Sequence, residues 1–159
     1  MINVSDYAFE KVRDEGDFIV SRGHRTGDPN SVLLLTGAGE HPSPSSLERI
    51  NHIHSLKNEL DSGWAVQPLG LADYHGTPAV VFSDPGGTFL DGALEHPLAL
   101  IEFLRLGIAM VKALGCLHAQ GLIHRDVKPA NIIVNTTTGS AWLTGFGLTL
   151  RLPRQRQPP

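Results

Sequence analysis

The sequence predicts an α+β fold: a small antiparallel sheet with one helix comes first, and mainly helical structure follows. Three observations predict it. Short apolar runs separated by turn-rich segments fill the first half of the chain, a long apolar stretch at helical spacing begins near Leu98, and "DPGG" at 84–87 marks the change of character between them. This turn separates residues 1–83 from residues 84–159. The chain has 159 residues, 41% of them hydrophobic and 18% charged, enough to bury a core and short enough for a single domain by length.

Taken in order, the apolar runs Phe18 to Val20 and Val32 to Leu35 flank "SRGHRTGDPN", whose Gly23, Gly27, Asp28 and Pro29 signal a hairpin. "RDEGDF", with Gly16, lies between the first two strands. A helix is predicted over about 45–60. Ser45 and Glu48 have capping-box spacing, and Leu47, Ile50, Ile53 (or His54) and Leu56 or Lys57 continue at helical intervals. "AVQPLGLADYHG" and "TPAVVFSD" are two apolar runs about a Tyr-His-Gly turn, a second hairpin. From Leu98 the charged residues Glu102, Arg105 and Lys112 form one narrow stripe surrounded by apolar side chains, which predicts a helix buried on most sides. Gly121 suits a left-handed C-terminal cap. "IIVN", "TTTG" and "SAWLTG" predict a third hairpin. The tail "RLPRQRQPP", with Arg151, Arg154 and Arg156 and no apolar period, reads as disordered.

Composition narrows the function classes. A formal net charge of −3 and a pI near 6.2 give no basic excess, so neither nucleic acid nor an anionic membrane is an expected partner. The stretch 98–119 carries three charges and fails as a membrane span. The acidic N-terminus lacks the layout of a secretory signal, and with Cys116 as the only cysteine a cytoplasmic location is expected. Cys116 itself reads as a small buried apolar residue. The eight histidines show no zinc spacing: His52 and His54 diverge on a helix, and His24, His41, His75 and His96 fall in turns.

The chemistry-bearing stretch is His124-Arg125-Asp126-Val127-Lys128-Pro129-Ala130-Asn131, which resembles the protein-kinase catalytic loop H-R-D-x-x-x-x-N without a gap. The resemblance implies a protein-kinase-like fold, with residues 1–83 as the N-lobe, a hinge near Ser83 and Asp84, and residues 84–159 as an incomplete C-lobe. It also implies roles: Asp126 as acceptor of a substrate hydroxyl proton, Lys128 at the γ-phosphate of ATP, and Asn131 on a magnesium ion. Arg125 is the type that pairs with an activation-segment phosphate, and His124 a structural residue of the loop. Lys128, two places after Asp126, resembles Ser/Thr protein kinases.

Against that pattern, several positions depart. The metal-binding tripeptide D-F-G appears as Gly145-Phe146-Gly147, without its carboxylate; Thr144 has a hydroxyl that points the other way if 143–145 is extended. In "SVLLLTG" Leu35 stands at the lysine of V-A-I-K, and Leu33 at the small residue over adenine. "ERINHIHSLKNELD" resembles E-R-L-x-H-E-Y of a family of very large bacterial chains. Those begin with a Ser/Thr-kinase-like domain and continue into an ATPase-like region and a sensor histidine kinase. In that register Ile53 replaces the helix glutamate, with Glu48 and Glu59 as other readings. Loss of both ion-pair partners is consistent physically, since one stranded buried charge costs about 3–5 kcal/mol whereas an apolar pair is neutral or better. "RDEGDF" offers Gly16 alone where G-x-G-x-x-G would cover phosphates, beside Asp14, Glu15 and Asp17.

The function implied is a kinase-like domain with weak or absent ATP and magnesium binding, a pseudokinase serving as a regulatory or interaction module. Two alternatives are an atypical Ser/Thr kinase resting on Asp126, Lys128 and Asn131, and a truncated, non-functional fragment. The pattern stops where an activation segment begins, so residues 98–134 are expected to expose apolar faces that a protein partner or further C-lobe helices would cover.

Overall fold

Period-two alternation of apolar residues builds the first part of the chain into a five-stranded antiparallel sheet. In the computed structural model, which describes residues 1–39 and 41–153, its strands are β1 (Tyr7–Asp14), β2 (Phe18–Arg25), β3 (Val32–Gly37), β4 (Pro68–Tyr74) and β5 (Thr77–Ser83), in the order β1-β2-β3-β5-β4. The register pairs Val20 with Leu35, Arg22 with Leu33, Leu33 with Phe82, and Leu35 with Val80. One apolar cluster gathers Val32, Leu34, Ala72, Ala79 and Val81 with Val4, and Ile2, Tyr7, Phe9 and Tyr74 pack against it. The N-terminal residues are thus part of the core, tied down by the Ile2 N–H donating to the Leu71 carbonyl at 2.7 Å.

The helix α1 (Pro44–Ser55) packs on β3, β4 and β5 and buries Ile50 and Ile53. It starts one residue earlier than the sequence predicts and its cap differs. Ser43, not Ser45, accepts from the Ser46 N–H at 3.1 Å, because Pro44 has no N–H to lose and suits the first helical position. It also ends at Ser55 rather than near 60. Residues 56–60 continue as turns, with the Leu60 N–H donating to the Leu56 carbonyl at 3.1 Å, and both leucines stay buried.

The chain divides into two compact units, one of Met1–Ser62 with Val66–Gly86, the other of Gly63–Ala65 with Gly87–Pro159. The second contains β6 (Thr88–Phe89), α2 (Leu90–Ala93), α3 (Leu100–Ala119), β7 (Leu122–Ile123), β8 (Ile132–Asn135), β9 (Ser140–Leu143) and β10 (Leu150–Arg151). β6, β8 and β9 form one antiparallel sheet, and β7 pairs with β10. The Glu102 carboxylate accepts from the Ala99 N–H at 3.1 Å and caps the start of α3, while Gly121 follows its end at φ +72°, the left-handed position the sequence predicts.

Two expectations about α3 fail. The helix is not buried on most sides: it packs on β7 and β9 through one narrow face, burying Leu106, Ala113 and Leu117, and the opposite face is open. Leu100 is 74% exposed and Val111 70%. Cys116 lies outside the buried face and is exposed, not a core residue. An apolar composition all round a helix permits burial, but burial needs neighbours, and here they cover one side only. Arg151, placed by sequence in a disordered tail, belongs to β10; Arg154 and Arg156 lie outside the described residues. No helix among the described residues is long and apolar enough to cross a membrane.

Candidate functional site

The loop from His124 to Asn131 is held between β7 and β8. Its first half turns at Arg125, which has φ +68° and an exposed side chain; its second half ends in a 3₁₀ turn, Pro129–Asn131, where the Asn131 N–H donates to the Lys128 carbonyl at 2.9 Å. The segment 144–147 is hydrogen-bonded to it. The Thr144 N–H donates to the Asn131 carbonyl at 3.0 Å, and the Phe146 ring centroid lies 5.1 Å from that of His124.

His124 is buried and both its nitrogens are used. Nε2 is 2.7 Å from the Thr144 carbonyl, which can only accept, so Nε2 carries the proton; Nδ1 then accepts from the Asp126 N–H at 3.2 Å. Burial, the largest influence, pushes the His124 pKa below its ordinary value of 6.5. The neutral ring is a spacer that sets the distance between the loop and residue 144.

Asp126 and Lys128 form an ion pair at 2.9 Å, and Asn131 Nδ2 donates to both the carbonyl oxygen and Oδ2 of Asp126 at 2.8 Å each. Partial burial works to raise the Asp126 pKa, but the hydrogen bonds from Lys128 and Asn131 and the Lys128 charge outweigh it and hold the carboxyl below the ordinary carboxylate range. Residues 126, 128 and 131 therefore come together, with an ionised carboxylate at their centre. The arrangement offers an anionic acceptor whose lone pairs are already partly spent.

At position 145 the backbone is left-handed, φ +76° and ψ +36°, so residues 143–145 are not extended and the premise for the direction of the Thr144 side chain does not hold. A divalent cation of the magnesium type needs a near-octahedral shell of oxygens, usually with one or two carboxylates. Here position 145 contributes no side chain, Asn131 gives its Nδ2 to Asp126 and keeps its Oδ1 as an oxygen donor, and the Asp126 carboxylate shares Oδ2 with the Lys128 ammonium. From this chain the set offers one carboxylate, already ion-paired, and one amide oxygen. Among the described residues no cluster of three or more His, Cys, Asp or Glu side chains could hold a metal.

In the first unit Leu33 is 2% exposed and Ile53 3%, whereas Leu35 is half-buried. Glu48 is exposed and Glu59 lies beyond the end of α1. In the turn between β1 and β2, the Gly16 N–H is taken by the Asp14 carboxylate at 3.1 Å.

Sequence reasoning missed the polar set at Asp84. Its side chain, 0% exposed, accepts from Arg22 Nε and from Ser31 Oγ at 2.6 Å each and from the Gly86 N–H at 2.9 Å. Burial opposes ionisation, yet the donors Ser31, Arg22 and Gly86 win and hold the Asp84 pKa below the ordinary carboxylate value. The Asp-Pro-Gly turn was readable in sequence; the partner Arg22, 62 positions away, has no local signal.

Comparisons with known proteins bear on the kind of domain this is. Residues 96–158 match the family model of the protein kinase domain. A probable serine/threonine-protein kinase of Clostridium perfringens is 47% identical over 57 residues, 36% of this chain and 8% of that protein. Mitogen-activated protein kinase kinase 5 of Leishmania mexicana is 32% identical over 118 residues, 64% of this chain and 21% of that protein. The serine/threonine-protein kinase sax-1 of Caenorhabditis elegans is 26% identical over 159 residues, 96% of this chain and 33% of that protein. The chain therefore carries an α+β, protein-kinase-like domain. Two of these three relatives are serine/threonine-protein kinases, and the chain spans a third or less of the length of each of the three.

Proposed function

We propose that this kinase-like domain is a pseudokinase module that works by contact rather than by phosphotransfer. One observation carries the reading: the three positions on which nucleotide and metal would rest hold Leu35, Ile53 and Gly145, and none of these can ligate a phosphate or a cation. Loss of one preorganised charge-stabilising group costs about 10²–10³ in rate, and groups that act as a unit fail together. The open face of α3, with Ile101, Phe103, Leu104 and Ile108 all more than 45% exposed, supports a role in contact with protein. The likeness of α1 to the helix of large kinase-fronted bacterial chains supports a place beside ATPase-like and histidine-kinase regions.

A second reading has its own observation. Asp126, Lys128 and Asn131 are present and adjacent, and Asp126 is ionised, so an atypical Ser/Thr kinase acting on a protein hydroxyl with ATP and magnesium is the alternative. Thermal unfolding with ATP, with and without magnesium, separates the two. A one-site ligand at a hundred times its Kd adds about 2.7 kcal/mol. The pseudokinase reading expects a transition unmoved by either ligand. A magnesium-dependent rise in Tm overturns it in favour of the kinase.

A further inference from the structure

A cavity in the first unit is lined by none of the residues of the kinase pattern. It holds about 620 Å³ and lies between the first residues of the chain, β1 and the β4–β5 turn. That volume is within the range of about 300–1,000 Å³ usual for small-molecule sites. Three rings line it: Tyr7 and Phe9 stack with centroids 6.0 Å apart, and Tyr74 meets Phe9 edge-on at 5.2 Å and 77°. These rings are half-buried against the cluster around Val32 and Leu34, so the core fixes them while part of each stays open. Asp73 lines the cavity too. Its Oδ1 accepts from the Gly76 N–H at 2.9 Å, which leaves Oδ2 for a ligand. The turn that presents it puts His75, a non-glycine residue, in the left-handed region at φ +52°.

We propose that this cavity binds a small quaternary or methylated ammonium ion. Aromatic faces attract such a cation through the negative charge density of the ring, and its methyl groups suit apolar walls where a bare ammonium would lose its water. The charge balance fits. Asp73 is the only carboxylate among the described residues that line the cavity, and no Lys or Arg side chain is among them. Two positive groups lie near and neither forbids a cation. The Arg25 guanidinium sits 5.6 Å from the Tyr7 centroid, an instance of this ring receiving a cation, and its charge is balanced by Asp28 at 2.9 Å. Met1 lines the cavity but is fully exposed, so solvent screens its α-amine. The inference does not depend on whether the second unit transfers phosphate.

Proton NMR titration of the full chain with choline tests this. The aromatic resonances of Tyr7, Phe9 and Tyr74 should shift together and saturate with a Kd of about 1 mM or tighter, and no saturable shift by ~100 mM overturns the proposal. The neutral isostere of choline, with a tert-butyl group in place of trimethylammonium, should bind at least about tenfold more weakly, since only the cation gains from the rings and Asp73. Equal affinity means that the cavity takes up any apolar group, and the proposal fails. This comparison uses the unaltered chain and needs no variant to fold. Asp73→Asn keeps an acceptor for the Gly76 N–H, so the turn should persist; it should weaken choline about fivefold and leave the isostere unchanged. An unchanged choline affinity removes Asp73 from the site and overturns the assignment. A trimethyllysine inside a peptide that binds more than about tenfold tighter than choline overturns the small ion in favour of a protein partner.

Discussion

The sheet unit and the loop of the second unit treat the kinase pattern in opposite ways. In the sheet unit, Leu35 and Ile53 stand where we propose that the kinase pattern has its ion pair, and Ile53 is buried while Leu35 is half-buried. In the loop, Asp126, Lys128 and Asn131 all remain, yet they satisfy one another. The first difference is visible in residue types; the second is visible only in geometry. A retained motif is a list of groups, and which of their atoms remain for a ligand depends on geometry: Asn131 gives Nδ2 to Asp126, and Gly145, outside the motif, adds no side chain.

The largest expected effect comes from reversing the sheet's replacement. Ile53→Glu places an unpaired carboxylate where the side chain is 3% exposed, and should destabilise by about 3–5 kcal/mol in urea unfolding. Adding Leu35→Lys should recover part of that loss, since contacting opposite charges couple by about 0.5–3 kcal/mol. Strict additivity of the two substitutions would show that positions 35 and 53 do not face one another, and the register of α1 would need revision.

Asp84 gives the next effect, and it sharpens the comparison because the sheet unit has kept one buried charge. Asp84→Ala removes the acceptor of Arg22, Ser31 and the Gly86 N–H together, and should cost about 2–3 kcal/mol. A loss below about 1 kcal/mol would mean that water replaces the carboxylate and the set is peripheral.

The pH dependence of stability should fall into two windows, an upper one from His124 and a lower, acidic one that Asp84 shares with Asp126. The His124 pKa is depressed in the fold, so the unfolded chain binds the extra proton more readily. Its contribution is fully present above about 6.5 and is lost as pH falls through the depressed folded value. Asp84 is depressed from 3.8, so its contribution is present above that value and disappears only as pH falls through its lower folded pKa. His124→Gln should flatten the upper window alone, and Asp84→Asn should shrink the lower one without abolishing it, because Asp126 contributes there too. A single acid transition untouched by either variant would contradict the assignment.

Much of this was legible in the sequence, and the pattern of failure is physical. Both hairpins of the sheet unit, the position of α1, the left-handed Gly121 and the continuous catalytic-loop pattern follow from local rules of period, turn and cap. The cap at Ser43 was missed by two positions because a proline at the first helical residue outweighed capping-box spacing. The Arg22–Asp84 pair and the exposure of Cys116 depend on chain segments far apart in sequence, or on which side of a helix finds a neighbour. Periodicity identified the apolar residues of α3 but not which of them are covered.

The smallest expected effect bears on that bare face. Ile108→Glu changes a side chain that is 57% exposed and is not one of the buried residues of the helix, so the unfolding free energy should stay within about 0.5 kcal/mol. Self-association is the sensitive readout, because a charge on an apolar patch penalises contact in the assembled state only. Sedimentation of the Ile108→Glu chain should show less association at high concentration than the unaltered one, with equal Tm. If Tm falls by several degrees instead, the outer face of α3 is covered within the chain itself, and the contrast between a sheet packed on its apolar residues and a helix that exposes them disappears.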